Sequence, residues 1–374
     1  MRFPEFEGEW EEKKLGEICK FVRGPFGSAL KKEFFINDGY AVYEQSHAIH
    51  NNFDSFRYYI SEEKFNSLRR FSVEPKDIIM SCSGTMGKFA IIPEKSKKGV
   101  INQALLKLTS KENFNHKFIK IALELPQIQN KLLSQSAGGA IKNVVGIPQL
   151  KEIGLYIPKP IEQNKIASFL SLIDQRIETQ NKIIEDLKLL KSTIRNKIFE
   201  KIRKSDFKKL EIRDLLEHEQ PTKYIVENVD YSENPTLIPV LTANKAFVLG
   251  YTDEQYGVYD KGDCIIFDDF TMDMKYVKFS FKVKSSAIKI LTPKPEINLR
   301  YMFEYFSYLS LSSNEHKRHY ISEVEDIKVS VPDVEKQNSI ARLLLAFDRK
   351  IEVESSLCIL LCNQKKYLLR EMFI

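Results

Sequence analysis

The 374-residue sequence is poor in the signals that identify an enzyme. It contains one Trp and five cysteines: Cys19, Cys82, Cys264, Cys358 and Cys362. The cysteine count is odd and no Cys-x-x-Cys occurs, which argues against a disulfide scaffold or a zinc ribbon and points to a reducing cytoplasm. No apolar run approaches the roughly 18 residues of a membrane span. The start, Met1-Arg2-Phe3-Pro4-Glu5-Phe6-Glu7, is acidic and has no signal-peptide apolar core. No G-x-S-x-G elbow is present. No Asn/Asp-Pro-Pro-aromatic motif of an amino-methyltransferase is present either; Asn234-Pro235-Thr236 comes nearest and fails. Charge of one sign is scarce as well. A net +6 from 57 basic and 51 acidic residues permits a polyanionic partner without demanding one. Hydrophobic residues at 43% and charged residues at 29% exclude a largely disordered chain.

What the sequence does contain is an internal repeat with a period of 174 residues. Ile157-Pro158 matches Val331-Pro332, Gln163-Asn164 matches Gln337-Asn338, and Ile166-Ala167 matches Ile340-Ala341. Asp174 falls on Asp348, Ile177-Glu178 on Ile351-Glu352 and Phe199 on Phe373. Each copy carries an alternating four-and-three apolar pattern. The first seam is Ile166, Leu170, Ile173, Ile177, Ile184, Leu187, Ile194 and Ile198, broken by Gln180 and Lys191. The second is Ile340, Leu344, Phe347, Ile351, Cys358, Leu361, Leu368 and Met372, broken at the equivalent Glu354 and Lys365. This is a coiled-coil seam sustained over about five heptads. Two unrelated amphipathic helices would not share polar breaks, so the two helices are expected to face each other. Each would run about 60 Å at 1.5 Å per residue.

The intervening regions read as mixed α/β globules. Asp77-Ile78-Ile79-Met80 and Gly262-Asp263-Cys264-Ile265-Ile266-Phe267 look like strands leaving a turn, and helices are expected over 117–134 and 299–311. The expected fold class is α+β: two mixed α/β domains over 1–157 and 205–331, and two long helices over 158–204 and 332–374 that form an antiparallel two-helix coiled coil with a pseudo-two-fold internal repeat. The globules have similar edges, Trp10-Glu11-Glu12-Lys13-Lys14-Leu15 against Phe207-Lys208-Lys209-Leu210, around dissimilar middles. Residues 1–157 carry +5 and residues 205–331 carry −5, which counts against strong unaided DNA binding by the second globule.

The segments that invite a catalytic reading fall short of one. Ser81-Cys82-Ser83-Gly84-Thr85-Met86-Gly87-Lys88 has too short a glycine spacing for a P-loop, and Phe89 replaces the magnesium-binding hydroxyl. Its small residues and hydroxyls suit close approach to a phosphate, or simply a tight β-turn. Asp263, Asp273 and Lys275 can be set out as a metal-dependent nuclease site, the rival reading; a coiled-coil adaptor with no DNA role is a third. His47-x-x-His50 and His316-x-x-His319 lack nearby ligands at familiar spacing and suit surface or DNA-facing positions better. No catalytic residue and no metal site are expected. Residues suited to DNA are clearer: Arg23, Lys31, Lys32, Gln45, His47, Arg57, Ser83, Thr85, Lys88 and Gln103 in the first globule, and Asn244, Lys245, Thr271, Lys275, Tyr276, Lys278, Lys282, Lys317 and Arg318 in the second. Lys and Arg fix position on phosphates, while Arg, Gln and Asn pair bidentately with guanine or adenine edges.

The tandem layout, the opening Trp10–Ile18 segment, Asp77–Lys88, Ile101-Asn102-Gln103-Ala104-Leu105, Ile266–Thr271 and the twice-occurring Pro-x-x-x-x-Gln-x-x-Ile-Ala element together resemble the specificity (S) subunit of type I restriction-modification systems. The resemblance spans essentially the whole chain. It implies that the two globules, 1–157 and 205–331, are target-recognition domains that each read one half of a bipartite asymmetric site on double-stranded DNA, and that the helix pair sets the spacer. It implies two modification (methyltransferase) subunits as partners, restriction subunits that can join them, no membrane, and a prokaryotic cytoplasm. S-adenosylmethionine, ATP and Mg²⁺ would belong to those partners, with no cofactor in this chain. The second copy departs from the family pattern where Lys336 stands in place of Glu162.

Overall fold

The computed structural model describes residues 2–133, 146–243, 246–311 and 318–373. The chain divides into two compact units, Met1–Thr179 with Ile359–Ile374, and Gln180–Cys358. Each unit therefore holds one globule together with part of both long helices, rather than leaving the helix pair as a body of its own.

In the first unit the strands are β1 (Glu11–Lys14), β2 (Cys19–Arg23), β3 (Tyr40–Tyr43), β4 (Tyr59–Ile60), β5 (Ile78–Ser81), β6 (Phe89–Ile91), β7 (Gly99–Ile101), β8 (Leu105–Ser110) and β9 (Gly154–Ile157). They form sheets ordered β2-β8-β5-β6, β4-β3-β7 and β1-β9. In the second unit the strands are β10 (Lys208–Glu211), β11 (Leu216–Glu219), β12 (Ile238–Leu241), β13 (Val248–Thr252), β14 (Cys264–Asp268), β15 (Met274–Val277), β16 (Lys282–Val283), β17 (Ile288–Pro293) and β18 (Lys328–Val331). Their orders are β11-β17-β14-β15, β13-β12-β16 and β10-β18. The middles that look dissimilar in sequence thus share one topology, down to the equivalent parallel strand pairs β3 with β7 and β12 with β16. β5 and β14 are buried at every residue, which explains their unbroken apolar runs: a strand covered on both faces loses the alternation of a half-exposed one.

The first globule's expected helix over 117–134 is two helices, His116–Leu123 and Pro126–Leu133. Pro126 disfavours helical geometry at Leu125 and has no N–H to donate, so the chain breaks and restarts there. The second globule's counterpart, Leu299–Leu309, has no such residue and is continuous.

The repeated Gln-Asn pair has a structural cause. The Gln163 side chain accepts from the Asn115 backbone N–H at 2.8 Å and donates to the Pro158 carbonyl at 2.8 Å. Asn115 in turn caps the helix at His116, and its side-chain amide donates to Asn164 Oδ1 at 2.6 Å. In the second unit Gln337 does the same with Asn298 N–H at 2.9 Å and the Pro332 carbonyl at 2.9 Å, and Asn298 donates to Asn338 at 2.6 Å. Both glutamines are buried, so each bond satisfies a backbone group that water cannot reach. The motif fastens the start of each long helix to the cap of its globule's last helix.

The long helices run Pro160–Arg203 and Val334–Met372. Every expected seam residue is buried or half-buried. In the second unit the Gln180 side chain donates to the Glu354 carbonyl at 3.2 Å and to its carboxylate. Lys191 there binds Asp348 at 2.8 Å, and in the first unit Lys365 binds Asp174, its repeat equivalent. In each unit the early part of one helix thus lies against the late part of the other, which is antiparallel pairing. Phe373 packs edge-on against Trp10 and stacks on Phe118; Phe199 takes the same place among Tyr301, Tyr305 and Tyr308. The departure at Lys336 also has a local reason. Glu162 is buried, ion-paired with Arg2 at 2.7 Å and hydrogen-bonded by the Trp10 indole at 3.3 Å, whereas Lys336 is exposed with its ammonium 4.6 Å from the Phe207 ring.

Candidate nucleic-acid interface

In the first unit four loops meet at one end of the two larger sheets. The loop after β2 is pinned where Gly24 N–H donates to the Leu105 carbonyl at 2.9 Å. A Cβ at Gly24 would collide with the Asn102 carbonyl, so only glycine lets these two loops come so close. Asn102 N–H donates to the Tyr43 carbonyl and Cys82 N–H to the Ala104 carbonyl, tying the turn after β7 to the ends of β3 and β5. The β5–β6 hairpin is closed from within. Ser81 Oγ donates to the Thr85 carbonyl at 2.7 Å and accepts from Lys88 N–H at 3.0 Å, with Gly84 and Gly87 in left-handed conformations. This loop is a glycine turn that presents Ser83, Thr85 and Lys88 to solvent. Cys82 beneath it is buried, which pushes its thiol up to about 11 and leaves it protonated and inert at neutral pH.

These ties gather Arg23, Gln45, Ser83, Thr85, Lys88 and Gln103 into one neighbourhood. Gln45 Nε2 lies near Gly84, and Gln45 Oε1 is buried with no hydrogen-bond partner. Arg57 is exposed with its guanidinium 4.9 Å from the Tyr58 ring centre, and Lys31 and Lys32 are exposed on the loop after β2. The sequence reading missed Phe26, which is 90% exposed on that same loop. A large aromatic after Gly24-Pro25 is the signal that was there to find.

The second unit repeats the construction. Lys284 N–H donates to the Leu241 carbonyl and Asp269 N–H to the Ala287 carbonyl, the counterparts of the Asn102–Tyr43 and Cys82–Ala104 bonds. The β14–β15 turn is closed by the Asp268 carboxylate, which accepts from the Phe270 and Thr271 N–H groups at 3.0 and 2.9 Å. Thr271 and Lys284 are exposed at this end and Lys275 is half-buried on β15, whereas Lys278 and Phe279 are exposed beyond Val277, past the end of β15 that is far from this turn. Arg318 is exposed at the start of its segment. Asn244, Lys245 and Lys317 lie outside the described residues.

Three expected DNA contacts are corrected. His47 is not a surface group. Its ring is buried, stacked on Phe56 at 4.8 Å, and accepts from the Glu44 N–H at 2.9 Å, so it closes the start of the helix Gln45–His50. Lys282 is fully buried, ion-paired with Glu254 at 2.8 Å and donating to the Tyr256 carbonyl at 2.8 Å. The lysines of 275–284 therefore do not track a backbone as a set, because the short strand β16 turns one of them inward. Tyr276 is half-buried; its hydroxyl donates to Asp263 at 2.8 Å and its ring lies 5.1 Å from the Arg300 guanidinium. The nuclease arrangement dissolves for related reasons. Asp263 holds Tyr276 at the start of β14, whereas Asp273 lies in the turn at the other end of the β14–β15 pair, so the two carboxylates are not brought together. Asp268 closes that turn, and buried Asp269 pairs with Lys289 at 3.5 Å while capping the His319 and Tyr320 N–H groups. Among the described residues, no three His, Cys, Asp or Glu side chains converge in a way that could hold a metal ion, and no helix is long and apolar enough to cross a membrane.

Comparison with known proteins agrees with this construction. The family profile described as "Type I restriction modification DNA specificity domain" matches residues 7–189 and 204–359. The specificity subunit of the type I restriction enzyme EcoR124I/EcoR124II from Escherichia coli is 41% identical over 151 residues, 37% of this chain and 37% of that protein. A putative type I restriction enzyme MjaX specificity subunit from Methanocaldococcus jannaschii is 24% identical over 388 aligned positions, 94% of this chain and 89% of that one. Among solved structures, the S subunit of a type I restriction-modification system from M. genitalium superposes with a TM-score of 0.65 at 17% identity, over 100% of this chain and 99% of that one. A chain from a study of complex assembly and conformational transition in the type I system gives 0.57 at 13% identity, over 99% and 98%. With one matched segment on each side of residues 190–203, and the same sheet topology in each unit, the chain belongs to the family of type I restriction-modification DNA specificity proteins.

Proposed function

We propose that this chain is the non-catalytic specificity subunit of a type I complex, in which each globule reads one half of a bipartite asymmetric DNA site. The observation that carries this reading is the pairing of one frame with two different loop sets. Two equivalent backbone hydrogen bonds tie the loops of both units, while the side chains those loops present differ: Phe26, Gln103 and Arg57 in one, Thr271 and Lys284 in the other. A frame that stays constant while its loops vary suits two modules reading different sequences. The direct DNA contacts on this reading are Arg23, Lys31, Lys32, Gln45, Arg57, Ser83, Thr85, Lys88, Gln103, Thr271, Lys275, Lys278, Lys284 and Arg318. The long helices dock two modification subunits, which supply S-adenosylmethionine-dependent adenine methylation. Restriction subunits that join them bring ATP, Mg²⁺ and cleavage. The heptad count of the helix pair sets the spacer between half-sites. The complex works in a prokaryotic cytoplasm.

The test is modified-base sequencing of DNA from cells expressing this chain with its modification subunit, and each alone. Methylation at one bipartite motif only when both are present is the expected result. Exchanging residues 10–157 for the corresponding domain of another such subunit should then change one half-site and leave the other intact. A change in both halves, or in neither, would refute the two-module reading.

A further inference from the structure

The first unit carries a slot that the loop ties alone do not require. A cavity of about 190 Å³ opens beside Phe26, between the loop after β2 and the turn after β7. Its wall includes Leu30, Val42 and the stacked pair Phe35 and Tyr58, whose ring centres lie 4.2 Å apart. Gln103 stands at its mouth, exposed, and its side-chain amide has no hydrogen-bond partner among the described residues. Arg23, Arg57, Lys31 and Lys32 are exposed around it, which supplies the positive charge that draws in a nucleic-acid backbone. The slot itself is not a phosphate site. It is mostly apolar, and the one residue of acidic or basic type lining it is acidic, Glu44, which disfavours an anion. A polyanion can therefore approach the rim while only an uncharged, apolar group enters.

In the major groove that group is the thymine 5-methyl, and the adenine opposite presents the N7 acceptor and N6 donor that a Gln amide matches bidentately. Resting on the DNA-reading role above, we propose that this slot reads one T·A pair of the first half-site, with the thymine methyl seated against Phe26 and Gln103 paired with the adenine edge. Phe26 and Gln103 are then specificity-determining residues, and Arg23 and Arg57 position the backbone. Phe26 is almost wholly exposed, so removing its ring takes nothing from the core.

The experiment uses the full chain co-expressed with its modification subunit, in native, Phe26→Ala, Gln103→Ala and, as a control in the other unit, Phe279→Ala forms. Modified-base sequencing is expected to show both first-unit variants relaxed at the same single T·A position of one half-site, with the other half-site unchanged. Discrimination there should fall roughly tenfold for Gln103→Ala. Duplexes with uracil for that thymine should be methylated more slowly by native complex, on the order of fourfold for one lost buried methyl, and at no disadvantage by the Phe26→Ala complex. Native methylation of a bipartite motif with both variants as strict as native would overturn the slot and leave the two-module reading standing. So would relaxation at a G·C pair, or indifference of the native complex to uracil. No methylation by a verified native complex would overturn both.

Discussion

Lys191 with Asp348 and Lys365 with Asp174 stand at equivalent places in the repeat, and the two units surround them differently. In the second unit Lys191 also binds Glu304 at 2.9 Å, and Glu304 is wholly buried. Arg300 reaches both Glu304 and Asp348, and Arg195 lies 3.7 Å from the second Glu304 oxygen. In the first unit the position of Glu304 on the helix after the last sheet is taken by Ile121, and the repeat equivalent of Arg195 is Leu369. There the Lys365–Asp174 pair is left at the edge, with Asp174 about half exposed. One frame is thus closed by a charged cluster in one unit and by apolar packing in the other. The lesson is that the seam fixes where the lysine and aspartate sit, while the neighbouring globule decides what they contribute.

The sharpest way to break this comparison is to remove each lysine in turn. Lys191→Ala removes the ammonium bound to both Glu304 and Asp348 in a largely buried layer, where Arg300 and Arg195 still balance the two acids, and the expected loss is roughly 2–3 kcal/mol. Lys365→Ala removes a pair open to water and should cost at most about 1 kcal/mol. Native-state hydrogen exchange, read separately over the helix segments of each unit, measures both without assuming that the chain unfolds in one step. Equal losses would mean that Glu304 and its arginines do not depend on Lys191.

Where the units agree, equal effects are expected. Gln163→Ala and Gln337→Ala each leave a helix-cap N–H and a proline carbonyl without their partner at a buried junction. Each should cost about 1–3 kcal/mol, in its own unit. The same exchange measurement over His116–Leu123 and Leu299–Leu309 reads the two junctions. A large loss at one and none at the other would show that the repeated motif serves only one of them.

The frame was legible in the sequence because its constraints are local and periodic. Heptad spacing, the shared polar breaks at Gln180 and Glu354, and the paired Gln-Asn steps each have a fixed chain interval. The common topology of the two globules was not legible. It rests on pairings such as β2 with β8 and β11 with β17, which join residues far apart in the chain and leave no shared spacing once loops differ in length. The candidate site was readable in part for the same reason. Residue type picked out Gln103, Arg57 and Lys88, but it could not tell an outward lysine from an inward one. His47 and Lys282 were misread because their partners, Phe56 and Glu254, come from other loops.

That last distinction gives the smallest and most specific prediction. Lys278 is exposed, with its ammonium 5.7 Å from the Tyr276 ring, while Lys282 four residues on is enclosed with Glu254. If Lys278 meets the DNA backbone, as the DNA-facing set above has it, Lys278→Gln removes one phosphate contact. The slope of log affinity against log salt should fall by about one, with the base preference and the fold unchanged. Lys282→Gln should leave that slope alone in whatever protein remains folded, and instead destabilise the second unit by stranding Glu254. Salt titrations of the assembled complex, paired with hydrogen exchange over β12, β13 and β16, separate the two outcomes. A salt effect from Lys282→Gln with no loss of protection would return that lysine to the DNA-facing set and undo the correction made from its burial.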